Sequence, residues 1–162
     1  MYGHVDPGLR GGPNYAEMIA SFVQILECDV FLELGVAHGS TAKAIKPLVK
    51  RWIGVDVRDI RLGEKFDEFY LCSTDDFFKF FKDEVQIIFI DAAHDFPSVV
   101  KDLNNSLNIL AKNGLIFLHD TDPWEPKFLQ DWLCGDSYRI IDYIQNERND
   151  LNILTIPANE AG

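Results

Sequence analysis

The residues Glu33-Leu34-Gly35-Val36-Ala37-His38-Gly39-Ser40-Thr41 carry the densest chemical signal in the chain. An apolar run, Val30-Phe31-Leu32, stops at an acid, turns through Gly35 and Gly39, and enters a helical pattern. A strand that ends in a glycine turn at a helix start lets backbone amides approach a ligand closely. About twenty residues further on, the strand-like run Trp52-Ile53-Gly54-Val55 ends in Asp56. An acid at that point of a βαβ unit can take both hydroxyls of a ribose. Together these residues describe a site for an adenosine-bearing cofactor, and a tight strand-to-helix turn without any ligand is the plainer alternative. Further polar groups, Ser73-Thr74-Asp75, Asp91 and His119-Asp120, fall at the ends of later strand-like runs.

The elements that must position these groups alternate along the chain. Asn14 can cap a helix in which Met18, Ile19, Phe22 and Leu26 recur at helical spacing. Strand-like runs follow at 29–34, 52–56, 69–72, 85–91, 114–120 and 151–156, and helical stretches at 40–50, 60–67, 74–82, 96–111 and 125–146. This alternation predicts an α/β fold with a mostly parallel sheet and helices on both faces. The near-continuous apolar runs at 85–90 and 115–118 are those of central strands covered on both sides. A ligand then lies along the carboxyl ends of the strands, where strand order reverses. Residues 1–13, rich in Gly and Pro, read as a mobile N-terminal arm, and 14–162 as a single domain.

Composition bounds the function. At 162 residues and 47% hydrophobic, the chain can bury one core. A net charge of −11 argues against nucleic acid or an anionic membrane as partner. No apolar stretch reaches the roughly 18 residues of a membrane span, and the N-terminus lacks the order of a signal peptide. Cys28, Cys72 and Cys134 have no paired spacing and fit free thiols in a reducing, cytoplasmic setting.

The glycine spacing narrows the cofactor. A dinucleotide turn wants G-x-G-x-x-G; counted from Gly35, the other two glycines would fall at Ala37 and Ser40. That disfavours a nucleotide-binding oxidoreductase. The chain reads E-x-G-x-x-x-G-x-T, which resembles the first motif of class I S-adenosylmethionine-dependent methyltransferases. The string Ile90-Asp91-Ala92-Ala93-His94, an apolar helix, and Asn113-Gly114-Leu115-Ile116-Phe117-Leu118-His119-Asp120-Thr121 narrows the resemblance. It is similar to the branch holding the macrocin-type sugar O-methyltransferases, the cephalosporin-hydroxylase-like proteins and, more distantly, catechol O-methyltransferase.

The resemblance, covering roughly residues 29–122, implies a Rossmann-like sheet, S-adenosylmethionine as cofactor and often a bound Mg²⁺. It implies cofactor contacts at Glu33, Gly35, Gly39, Thr41, Asp56, Thr74, Asp75 and Asp91. Thr41 falls where a hydroxyl meets the cofactor's carboxylate, and Thr74 and Asp75 in the turn facing adenine. Asp91 and Asp120 match metal-binding carboxylates. His119 stands where metal-dependent relatives often carry glutamate, and a histidine suits another divalent metal better than Mg²⁺. His94 occupies the place of the proposed general base, with Asp91 beside it as the second catalytic residue. The implied reaction is O-methylation of a small-molecule acceptor, a sugar or glycosylated metabolite; a cofactor-binding domain without catalysis is the rival. Trp124 and Trp132 follow the last site strand, where acceptor loops usually sit. The family closes its sheet with an antiparallel hairpin that is short or truncated here, which leaves an open edge and the expectation of a homo-oligomer.

Overall fold

The computed structural model describes residues 14–61 and 66–157. Asn14 starts the first helix, its side chain accepting the amides of Ala16 and Glu17. Helix α1 (Tyr15–Ile25) buries Ala16, Ile19 and Val23 and hands over to strand β1 (Val30–Leu34). Helix α2 (Ala42–Ile45) is a single turn continued by a 3₁₀ turn at Lys46–Leu48. The helix expected over 40–50 is cut short there because Pro47 brings no amide to extend it. Strands β2 (Arg51–Asp56) and β3 (Glu68–Leu71) follow, then helix α3 (Thr74–Phe80), strand β4 (Val85–Ile90) and helix α4 (Phe96–Leu107). Strand β5 (Leu110–Leu118) and helix α5 (Ile140–Glu147) complete the regular elements.

All four ladders are parallel and the order is β3-β2-β1-β4-β5, so the chain reverses direction across the sheet between β1 and β4. Alternate side chains feed two cores, the pattern of strands buried on both faces. Phe31, Trp52, Ile87 and Phe89 pack beneath α1 and α2. Leu32, Leu34, Ile53, Val55, Ile88 and Ile90 pack with Phe77, Phe78 and Phe81 around α3. A third cluster joins Val99 and Leu103 of α4 to Ile140 and Ile144 of α5. The Rossmann-like α/β class read from the sequence is the observed one.

Several expected elements differ. Strand β5 begins at Leu110 instead of residue 114, because Ile109 turns the chain straight out of α4 and a register shift at Val85/Ile87 absorbs the extra residues. The helix expected over 125–146 is two 3₁₀ turns, Pro126–Phe128 and Ser137–Arg139, followed by α5. Gly135, at φ +52°, breaks the path between them. Residues 151–156 form no strand: Leu151 and Ile153 pack on the α4–α5 cluster, so their apolar face is buried without a ladder. No strand pairs with the outer edge of β5 among the described residues. The arm at 1–13 lies outside the described residues, as does the middle of the helix expected at 60–67, whose described ends are not helical. No helix among them is long and apolar enough to cross a membrane.

Candidate active site

A crevice of about 860 Å³ opens over the carboxyl ends of the strands at the β1/β4 reversal. Gly35, at φ +84°, makes it possible: a Cβ there would lie 2.0 Å from the Asp91 carbonyl oxygen. Only glycine allows the end of β1 to press against the end of β4. Gly39, at φ +75°, closes the same turn by donating its amide to Val36 O at 2.8 Å. Gly35, Ala37 and Asp56 line the crevice.

Asp56 lines the crevice, but its carboxylate is already engaged. Oδ2 accepts the amides of Val36 (3.0 Å) and Ala37 (2.8 Å), and Oδ1 accepts that of Arg58 (2.8 Å). A carboxylate has about four acceptor positions, so one stays free, and a ribose diol must displace a loop amide to be held by both oxygens. Glu33 and Thr41 differ from expectation. Both are buried behind the turn, the Thr41 hydroxyl donating to Glu33 Oε1 at 2.6 Å, and neither lines the crevice. The alternation of β1 turns Glu33 toward the α1–α2 side, with Phe31 and Trp52. Burial pushes its carboxyl up to about 8, so Glu33 is largely protonated at neutral pH.

Thr74 and Asp75 begin α3 and line the wall of the crevice beyond Asp56. Asp75 pairs with Lys101 of α4 at 2.6 Å. Behind them Asp102 of α4 is buried, and that burial pushes its carboxyl up to about 6. Lys101 and Asp102 carried no motif; the available signal was an acid at helical spacing among Val99, Leu103 and Ser106, all buried.

At the other end, two acids and two imidazoles converge. His94 Nε2 lies 3.3 Å from Asp120 Oδ2 and 3.8 Å from Asp91 Oδ1. His119 Nδ1 lies 3.2 Å from Asp120 Oδ1 and 3.4 Å from Asp91 Oδ1. Asp91 raises the His94 pKa above the ordinary histidine value. Burial works against charge on His119, yet Asp120 and Asp91 outweigh it and hold its pKa well above that value. Burial likewise pushes Asp91 up, and the two imidazoles outweigh it and hold the carboxyl below its usual range. His119 packs against Tyr15 (ring centroids 4.6 Å, planes at 58°) and edge-on against Phe89 (5.9 Å), and neither of its ring nitrogens has an aligned hydrogen-bond partner.

The loop over this cluster is fastened by residues the sequence did not flag. Asp120 is left-handed at φ +58°, a strained state for a non-glycine residue. Ser137 Oγ holds it in place from 2.5 Å away from its carbonyl oxygen. Cys134 Sγ lies 3.6 Å from Asp120 Oδ1. A Cβ on Gly135 would stand 2.3 Å from His94 O, and Asp136 donates its amide to that same oxygen at 3.1 Å. Asp136 also accepts the Phe96 amide at 2.6 Å. Asp95 caps α4 through the Ser98 amide, with Pro97 in the first turn. Trp132 lines the crevice, whereas Trp124 packs on Phe128. All three cysteines are free thiols.

A divalent ion has a set of donors here: Asp91, His94 and Asp120 each offer a ligand atom, all within 4.8 Å of one another. One nitrogen and two carboxylate donors suit a borderline transition ion better than Mg²⁺, which prefers oxygen.

The family model for a methyltransferase domain, Methyltransf_24, matches residues 32–121, and the chain belongs to that family. The resemblance to class I S-adenosylmethionine-dependent methyltransferases read from the sequence agrees with that family and with the fold. No curated protein matches it in sequence. Among solved structures it is similar to the O-methyltransferase from Bacillus cereus in complex with S-adenosylhomocysteine, at 15% identity and TM-score 0.63, covering 88% of this chain and 73% of that one. The S-adenosylhomocysteine-bound methyltransferase PaMTH1 from Podospora anserina gives 15% identity and TM-score 0.64, with the same coverage. An rRNA methylase from Streptococcus thermophilus gives 12% identity and TM-score 0.58, covering 86% and 89%. The chain spans 65% of the N-methyltransferase NodS from Bradyrhizobium japonicum, at 16% identity and TM-score 0.50 over 64% of this chain. At these identities the likeness is one of fold.

Proposed function

We propose that the chain moves a methyl group from S-adenosylmethionine to an oxygen of a small molecule. One observation carries this reading: the Asp91, His94, His119 and Asp120 cluster shares a crevice with the Gly35 turn and Asp56. The donor supplies a methyl group on positively charged sulfur, already activated, so the protein's work is alignment and proton removal.

In this reading Gly35 and Ala37 present backbone to the methionine portion, and Asp56 takes the ribose once a loop amide yields. Thr74 and Asp75 border the adenine end. The acceptor oxygen approaches between Asp91 and His94. Its bond to the methyl carbon forms as the carbon–sulfur bond breaks, S-adenosylhomocysteine leaves, and the hydroxyl proton passes to His94 Nε2. Asp91, kept ionised by the imidazoles, stabilises the imidazolium so formed. General-base help of this kind is worth roughly 10²–10⁴ in rate. A divalent ion held by Asp91, His94 and Asp120 would lower the pKa of the acceptor hydroxyl instead. His94 Nε2 has one lone pair and cannot serve both roles at once.

The test is thermal denaturation with S-adenosylhomocysteine, NAD and buffer, paired with transfer of a labelled methyl group. A melting shift with S-adenosylhomocysteine alone supports the donor assignment, because only native-state binders stabilise. A shift with NAD alone overturns it. A second reading is a donor-binding domain without turnover: the His94 Nε2 that would take the acceptor's proton already faces Asp120 Oδ2 at 3.3 Å. Donor binding with no transfer to any acceptor would establish it.

A further inference from the structure

The three tryptophans stand in three different environments. Trp52 is fully buried against Phe66, with ring centroids 3.6 Å apart. Trp124 packs on Phe128 at 5.3 Å, with the Lys127 ammonium 5.4 Å from its ring. Trp132 is 55% exposed, yet it lines the crevice. Among the described residues no ring, cation or hydrogen-bonding group engages its indole. The turn that carries it is nevertheless tightly held. Leu133 and Gly135 both donate their amides to Gln130 O, at 2.8 and 3.0 Å, and Cys134 donates to Phe128 O at 2.9 Å. Phe128 and Cys134 are fully buried anchors of that turn. Two residues beyond Trp132, Cys134 Sγ lies 3.6 Å from Asp120 Oδ1, and Gly135 abuts the His94 carbonyl. The fold therefore presents a bare indole, in a fixed turn, at the end of the crevice that holds the carboxylates and imidazoles.

We infer that Trp132 is the specificity-determining residue for the methyl acceptor: its indole is the platform for an uncharged six-membered ring whose rim hydroxyl turns toward Asp91 and His94. The inference rests on the methyltransferase reading above and narrows its substrate class. An indole face is apolar and broad, and it takes the flat face of another ring, either an arene or the C–H face of a pyranose. The carboxylates beside it accept hydroxyl protons at the rim of that ring. A few convergent polar groups against one large aromatic wall is the composition of a small-molecule site. An open-chain polyol has the hydroxyls but no face to lay on the indole. Five aspartates line the crevice against one arginine and one lysine, and that lysine is paired with Asp75, so an anionic ring is disfavoured. A cationic acceptor is disfavoured too, because the donor brings its own positive sulfur to the same crevice.

The test is saturation-transfer NMR on the protein with S-adenosylhomocysteine. The ring probes are 4-hydroxybenzyl alcohol and methyl β-D-glucopyranoside, and the controls are sorbitol, choline and 4-hydroxybenzenesulfonate. One ring probe should bind about tenfold tighter than every control, and which of the two does so tells arene from pyranose. Trp132→Ala should weaken that probe about tenfold, and Trp132→Phe, which keeps a ring face, should restore most of the loss. The S-adenosylhomocysteine melting shift should be retained in both variants. In protein labelled with 5-fluorotryptophan, the resonance that moves with the ring probe should be the one that Trp132→Phe deletes. No preference for either ring over the controls, unchanged ring affinity in Trp132→Ala, or movement of another tryptophan's resonance overturns the inference. If the melting shift persists in that case, the donor reading stands without it. Ring binding at Trp132 in a protein that shows no S-adenosylhomocysteine shift overturns the donor reading, and the acceptor role of Trp132 with it.

Discussion

The Cβ position of Gly35 lies 2.0 Å from the carbonyl oxygen of Asp91, so the turn after β1 and the loop after β4 meet through bare backbone. Gly35→Ala must both force a side chain into a positive-φ site and push β1 and β4 apart at their ends. The expected loss is about 3 kcal/mol of stability or more, with donor binding abolished. Urea denaturation alongside S-adenosylhomocysteine titration checks it; a stable variant with unchanged affinity would contradict the contact.

Glu33 gives a pH dependence with a definite sign. Its folded pKa, about 8, lies above the ordinary 4.5, so the folded state binds the extra proton between those values. Stability from this group is full below pH 4.5 and is lost as pH rises through about 8, by on the order of 5 kcal/mol when titration is complete. Glu33→Gln keeps the neutral shape and the acceptor for Thr41. Its stability curve should be flatter than that of the parent above pH 7, with the variant the more stable at pH 9.

Asp56 ties down the turn as well as lining the crevice. Asp56→Ala leaves the amides of Val36, Ala37 and Arg58 without their acceptor. Stability should fall by about 1–3 kcal/mol, exchange of the Val36 and Ala37 amides should accelerate, and donor affinity should drop at least tenfold. Unchanged exchange at those two amides would separate Asp56 from the turn.

For His94 the expected signature is kinetic. His94→Ala should lower turnover roughly 10²–10⁴-fold with donor affinity nearly intact. Activity in the parent should rise with pH through a limb above 6.5, because the neutral imidazole is the active form and Asp91 raises its pKa. Asp91→Asn should move that limb toward acid. Loss of donor binding in His94→Ala would make the residue structural.

The ion hypothesis has its own measurement. Mn²⁺ should raise the melting temperature more than Mg²⁺ does, and Asp120→Asn should remove the effect. Identical melting in Mn²⁺ and EDTA would leave the four side chains as a self-neutralised cluster.

Much of this arrangement was legible in the residues themselves. The β1 and β4 turns were readable because Gly35 answers a steric demand that no other residue meets. The run at 85–90 was readable because a central parallel strand covered on both faces must be apolar; the equally apolar run at 115–118 belongs to β5, which stands at the sheet edge and is only half buried, not central as its sequence suggests. The meeting of His94, Asp91 and His119-Asp120 followed from their places at strand ends, since parallel strands put their carboxyl ends side by side. What stayed hidden depends on rotation and tertiary contact. Whether Thr41 faces the ligand or Glu33 turns on the angle at which α2 leaves the strand, which a motif does not encode. The segment 125–146 has helical apolar spacing, yet Pro126 and Gly135 divide it and its side chains serve the loop bearing His94. Residues 151–156 are rich in Leu and Ile as a strand would be, but an apolar run says nothing of a ladder partner.

The contact between Gly135 and the carbonyl of His94 ties two evolutionary variables together. Residues 130–137 contribute Trp132 and Leu133 to the crevice wall, and they are also the brace against which the His94 loop rests. Remodelling that wall for a different acceptor therefore shifts the imidazole at the same time. Variants selected for new substrates through this segment should show displaced pH profiles, whereas those selected through α1 should keep the parental one.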